Sequence, residues 1–114
     1  MNAPRQTYSV YGIDMNDLER AREKLESVFA VRFQPHDSEY LGEYYLFKAT
    51  DTEQMKLQRN TYPEDGEPAE PEFNAKGLLL RVDGLVEGSP RLLDLERKIR
   101  ESLPMIKLLS RTTG

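Results

Sequence analysis

Apolar residues recur along this 114-residue chain with two different spacings, and the switches between them mark the elements. Residues 7–13 (TYSVYGI) are rich in β-branched and aromatic side chains and predict a strand. Leu18, Ala21, Leu25, Val28 and Phe29 then fall at i, i+3, i+7, i+10 and i+11, one face of a helix. Glu19, Arg20, Glu23, Lys24 and Glu26 take the opposite, solvated face. The spacing predicts a helix over 15–30. Asp14 is its expected N-cap, because a carboxylate there accepts the unpaired amide protons of the first turn; Asp17 and Glu19 place negative charge at the positive end of the helix dipole.

Residues 31–34 read as a short strand closed by Pro35. Residues 39–41 and 44–48 read as two strands joined by a tight turn at Gly42-Glu43. In residues 53–60 (EQMKLQRN), Met55 and Leu57 alternate with Lys56 and Gln58. That segment fits a strand or a helical turn, and strand is preferred because Tyr45-Leu46-Phe47 needs an antiparallel neighbour. Pro63, Pro68 and Pro71, with Gly66, make 62–74 a loop. The near-continuous apolar run 76–83 (KGLLLRVD) predicts a central strand buried on both faces. Ser89-Pro90 opens a second helix, with Ser as N-cap and Pro at the first helical position. Leu92, Leu95, Ile99 and Leu103 line its core side, Pro104 ends it, and 105–110 (MIKLLS) form a last strand.

The order is strand, helix, strand, inserted hairpin, strand, helix, strand. It predicts one domain over 1–114 of the α+β class: a ferredoxin-like split βαβ sandwich, with an antiparallel sheet of about five to six strands and two helices on one face. That fold hosts many unrelated activities and decides little about function.

Composition removes chemistry from this picture. The chain has no Cys and one His, which excludes disulfides, zinc–thiolate sites, thiol nucleophiles and multi-His metal centres. The first seven residues are polar and carry no apolar core of a signal peptide, and no apolar run approaches a membrane span, so a cytoplasmic protein is expected. The formal net charge of −4 argues against a nucleic-acid partner. That charge is local, however. Residues 63–73 hold five acids and no base; the remainder carries 15 acids against 16 bases, a net +1.

No catalytic constellation emerges. His36, Asp37 and Ser38 are adjacent, whereas triad members converge from separate elements, and no nucleophile elbow is present. His36 reads as a loop histidine at a strand edge. Glu64, Asp65, Glu67, Glu70 and Glu72 do not match a calcium loop: counting from Glu64 or Asp65, the sixth position is Ala69 or Glu70 instead of Gly. No metal and no cofactor are expected. The acidic loop has three readings: a solvated surface, a docking element for a basic partner, where charge complementarity speeds encounter and adds specificity, and, least favoured, a weak and irregular Ca²⁺ or Mg²⁺ site. Tyr40, Tyr44, Tyr45 and Phe47 concentrate the aromatic residues. Tyr45 and Phe47 share one face of a strand and Tyr44 the other. Gly42-Glu43-Tyr44-Tyr45-Leu46-Phe47 departs from the RNA-recognition pattern, and Glu43 brings the wrong charge.

Gly12-Ile13-Asp14 followed by Leu18 resembles the strand-to-helix junction of amino-acid-binding ACT domains. Met15-Asn16 stand where those domains carry Pro-Gly, so ligand binding at this junction is not expected. Acylphosphatases share the expected fold, but Tyr11-Gly12-Ile13-Asp14 lacks their phosphate-cradling Arg. Tyr40-Leu41-Gly42-Glu43-Tyr44-Tyr45, Asn60, Asp65-Gly66-Glu67 and Glu70-Pro71-Glu72-Phe73 together resemble a pattern in small bacterial proteins, and the general build is similar to small α+β immunity proteins. That resemblance implies a non-enzymatic, protein-binding inhibitor that occludes the basic active-site cleft of a toxin. Glu64, Asp65, Glu67, Glu70, Glu72, Phe73, Tyr40 and Tyr44 are the expected partner-binding residues. The alternative is a small-molecule-binding or regulatory domain that dimerises through its sheet; monomer and homodimer both remain open.

Overall fold

The computed structural model describes residues 4–114. In chain order the elements are β1 (Gln6–Ile13), α1 (Leu18–Phe29), β2 (Gln34–Ser38), β3 (Gly42–Lys48), β4 (Gln54–Arg59), β5 (Leu78–Val86), α2 (Pro90–Ser102) and β6 (Ile106–Thr113). Among the described residues the strands form one antiparallel sheet in the order β2-β3-β4-β5-β1-β6. The fold is α+β, with two helices and six strands among the described residues. Neither helix is long and apolar enough to cross a membrane.

Strand alternation sorts the side chains onto two faces. Tyr11, Ile13, Leu57, Leu78, Leu80 and Val82 share one face and join Leu18, Ala21, Leu25 and Phe29 of α1 and Leu92, Leu95 and Ile99 of α2 in a single buried core. Both helices therefore cover the same face. On the opposite face lie Gly12, Leu79, Gln58, Arg81, Tyr44 and Lys56, as the pairings Gly12↔Leu79, Gln58↔Leu79, Lys56↔Arg81 and Tyr44↔Gln58 require. Leu78, Leu79 and Leu80 are all at or below 1% exposed, so β5 is buried on both faces, as its continuous apolar run predicts.

Several boundaries shift, most of them for a local reason. Asp17, not Asp14, caps α1: its Oδ1 accepts from the Arg20 amide at 3.1 Å, and the helix begins at Leu18. Asp14 instead donates its amide to the Met105 carbonyl at 2.9 Å, tying β1 to the approach to β6. The helix stops where Ala30 turns left-handed (φ 56°) and returns its amide to Glu26. Pro35 does not close a strand but sits inside β2. β2 is an edge strand, the place in a sheet where proline is tolerated. His36 is accordingly a strand residue.

The hairpin turn lies at residues 39–41 rather than at Gly42-Glu43. The Leu41 amide donates to Ser38 Oγ at 2.9 Å, and Gly42 supplies the left-handed φ of 69° that starts β3. Segment 54–59 is the strand β4, and Ser89 caps α2 with Pro90 behind it, as the sequence predicts. β5 and β6 run a few residues further than their apolar runs, to Val86 and Thr113.

Candidate functional site

The helices leave the second face of the sheet for the segment between Arg59 and Leu78 to cover. No strand or helix forms there, only an isolated bridge between Thr61 and Pro68. The segment is nevertheless fixed, because the fully buried Asn60 organises it. Asn60 Nδ2 donates to the Glu70 carbonyl at 3.1 Å and the Asn74 carbonyl at 3.0 Å, and Oδ1 accepts from the Glu70 amide at 2.8 Å. Its backbone donates to Gly77 at 3.0 Å and accepts from Ala69 at 2.7 Å. One side chain thus satisfies backbone groups that would otherwise be stranded over the sheet. The Thr61 hydroxyl donates to the Ala75 carbonyl and adds a second tie.

Phe73 is the apolar counterpart of that hub. A Cβ built on Gly12 would lie 2.6 Å from the Phe73 ring, and one on Gly77 would also lie 2.6 Å from it. The ring is wedged onto bare backbone at both positions, so Gly12 serves close approach rather than a special dihedral. Lys107 Nζ lies 5.6 Å from the ring centroid. Phe73 therefore anchors the loop to its own sheet.

The acids divide into groups. Glu64, Asp65 and Glu67 are exposed at the loop tip. A compact turn presents them: the Gly66 amide donates to Tyr62, the Tyr62 amide to Glu67, and the Glu67 amide to Asp65 Oδ1 at 2.9 Å, with Gly66 at φ 73°. Glu70 is half-buried and faces Arg81 at 3.9 Å. Glu72 is exposed beside Phe73, on a shallow surface with Asp14 and Lys107.

Tyr40 joins the tip group. It sits in the β2–β3 turn with 62% of its surface exposed, and its ring meets that of Tyr62 at a centroid distance of 5.0 Å. Burial, followed by the adjacent Tyr40 phenol, raises the Tyr62 pKa above the ordinary tyrosine value. Pro63 Cγ comes to 3.0 Å of the position a Gly42 Cβ would take, which locks the loop to the turn. Exposed Glu39 and Glu43 lie in and beside that turn, Glu43 being 3.7 Å from Arg59. The result is a Tyr40–Tyr62–Pro63 patch bordered by acids from two segments. Tyr62 carries no expectation in the sequence, and Asn60 enters there only through the resemblance; the Tyr-Pro and Asn positions that bracket the loop entrance are the available signal.

Tyr44 is placed elsewhere. It is half-buried on the loop face of the sheet, stacked on His36 (5.2 Å, 14°), with Lys56 Nζ 5.4 Å from its centroid. Three strands contribute this row. Tyr45 points to the helix side, where its hydroxyl donates to Glu19 and the Arg22 guanidinium lies 5.4 Å from its ring. Arg22 and then Tyr45 hold the Glu19 carboxyl below its usual range by hydrogen bonding. His36, Asp37 and Ser38 lie along one edge strand, and alternation sends His36 and Asp37 to opposite faces.

No known protein family and no curated protein matches this sequence.

Proposed function

We propose that this protein is a non-enzymatic binding protein, an immunity-type inhibitor that docks through its acidic loop tip into a basic cleft of a bacterial toxin. One observation carries this reading. A strongly exposed tyrosine is paired with a second aromatic ring and fringed by acids, all held on a hydrogen-bonded backbone before any partner arrives. Exposed Tyr is a favoured interface anchor, and a preordered loop loses little entropy on binding. Glu64, Asp65 and Glu67 steer a cationic partner, and Tyr40 supplies the apolar contact. Phe73 and Glu70 act from behind by holding the loop, Glu72 extends the acidic surface, and Tyr44 belongs to the neighbouring face.

The scaffold reading is a ferredoxin-like split βαβ unit made of β4-β5-β1-β6 with both helices, in which the β2–β3 hairpin is inserted ahead of β4. The order and antiparallel pairing of those four strands support it. Function in the cytoplasm and action as a monomer complete the proposal.

Neutralising Glu64, Asp65, Glu67, Glu70 and Glu72 together to Gln or Asn tests it. The measurement is the affinity for the purified product of the adjacent reading frame, across a salt series. A loss of tenfold or more, with a flattened salt dependence, is expected; unchanged affinity and salt dependence rule out the loop as the docking element. Tyr40→Ala should weaken binding at all salt concentrations alike.

A second reading, a dimeric regulatory domain, draws on the other edge of the sheet. β6 leaves an eight-residue strand with one side unpaired and Leu108 46% exposed. Light scattering distinguishes the two: a monomer at micromolar concentration removes the dimer.

A further inference from the structure

At the opposite end of the strands from the acidic tip, the helices do not fully seal the sheet. A cavity of about 130 Å³ opens between the α1 C-terminus, one stripe of α2 and the β3–β4 turn. Phe29, Val31, Phe47, Met55, Val82 and Leu95 make its wall. An apolar cavity of about 150 Å³ takes a benzene-sized guest, so this somewhat smaller one has room for a branched aliphatic side chain such as that of leucine.

The mouth is charged, and its charges come in opposite pairs. Four charged residues line it: Arg91 pairs with Glu53 across the gap from α2 to the β3–β4 turn, and Lys98 Nζ meets Asp94 Oδ2 at 3.2 Å along the helix, the Asp94 Oδ1 being held by Arg97 outside the lining. Glu53 is the most enclosed of the four, with its side chain 15% exposed; Arg91 is 66% exposed. A guest with a single charge would unbalance this quartet. A guest with one positive and one negative group beside an apolar tail would keep it neutral. The exposed pairs rearrange at little cost, since solvent-accessible ion pairs contribute little net energy.

We propose that this cavity binds a free aliphatic amino acid of about leucine size. The side chain fills the apolar pocket, the α-carboxylate lies between Arg91 and Lys98, and the α-ammonium lies between Glu53 and Asp94. Gly12–Asp14 lie at the other end of β1 and take no part. The site stands apart from the acidic tip, so it does not depend on that surface having a partner.

Titrations of labelled protein followed by NMR test the proposal, with L-leucine, L-phenylalanine, L-tryptophan, 4-methylpentanoate and 3-methylbutylamine as probes. L-leucine should shift Phe47, Met55, Leu95 and Arg91, and L-phenylalanine should bind more weakly. The two half-molecules should bind about tenfold more weakly or worse, the value of one charge-assisted hydrogen bond. L-tryptophan should be excluded by size. Arg91→Gln should weaken L-leucine about tenfold. Ala49→Trp, at the exposed rim, should block it while the fold stays intact by circular dichroism. The proposal is overturned if L-leucine causes no shifts at tens of millimolar, or if 4-methylpentanoate binds as well as L-leucine. It is equally overturned if the same residues shift when the protein is merely concentrated, because a second copy then occupies the cavity.

Discussion

The two faces of the sheet are covered by different means. On one, α1 and α2 lay apolar stripes on Tyr11, Ile13, Leu57, Leu78, Leu80 and Val82, and the cover is held by buried area. On the other, an irregular segment is held by one buried amide side chain and one wedged ring. The first cover is redundant: many side chains share the load, and each loses only its own contacts when removed. The second is concentrated, because a single residue, Asn60, bonds to positions 69, 70, 74 and 77. A concentrated hub fixes backbone without burying much side chain, which leaves the tip acids and Tyr40 free to face outward.

The largest effect should come from the redundant face. Leu80 is 0% exposed, so Leu80→Ala should cost about 2–5 kcal/mol of global stability in denaturant melts, with both faces lost in one transition. Asn60→Ala should cost about 2–3 kcal/mol, since it strands several buried backbone groups. Its signature differs: proteolysis should cut first within 61–77 while the helical signal persists. A transition in which helices and loop fail together would erase the distinction between the faces.

Gly12→Ala sharpens it further. The new methyl collides with Phe73, for a cost of about 1–3 kcal/mol. In a Phe73→Ala background the same change should be nearly neutral, and the double-mutant cycle should report the wedge directly. Additive effects would mean the ring does not rest on Gly12.

The smallest effect belongs to the helix side and appears only at high pH. Burial is the main reason the Tyr11 pKa is raised; the Glu96 charge adds to it, and Arg111, bonded to the Tyr11 hydroxyl, opposes it. A group raised in the folded state stabilises it fully below the unfolded tyrosine pKa of about 10 and loses that contribution as pH rises through the folded value. Wild type should therefore lose stability above about pH 10 more steeply than Tyr11→Phe. Parallel pH profiles in chemical melts would contradict this.

What the sequence discloses follows the same division. Periodicity reports apolar faces, so α1, α2, the doubly buried β5 and the opposed directions of Tyr44 and Tyr45 are legible from residue spacing. Edges and turns are less so. Pro35 normally signals a break, and only its position at a sheet edge allows β2 to run through it. The loop face has no period at all. The five acids are visible as a cluster, but nothing local tells that Glu70 turns back toward Arg81 while Glu64, Asp65 and Glu67 stay outside. Phe73 reads as an available anchor until Gly12 and Gly77, far apart in sequence, are seen beneath it. Asn60 is one polar residue among many, and its role depends on partners ten to fourteen positions away.

The acidic tip is presented by a loop already ordered in the free protein. Native-state hydrogen exchange of the isolated chain, read at single amides, tests this order most directly. The amides of Ala69, Glu70 and Gly77 should be strongly protected, as their bonds to Asn60 Oδ1 and to backbone carbonyls require, and Asn60→Ala should release them while β5 stays protected. Exchange of those three amides in the fastest phase of the wild-type protein would contradict that order.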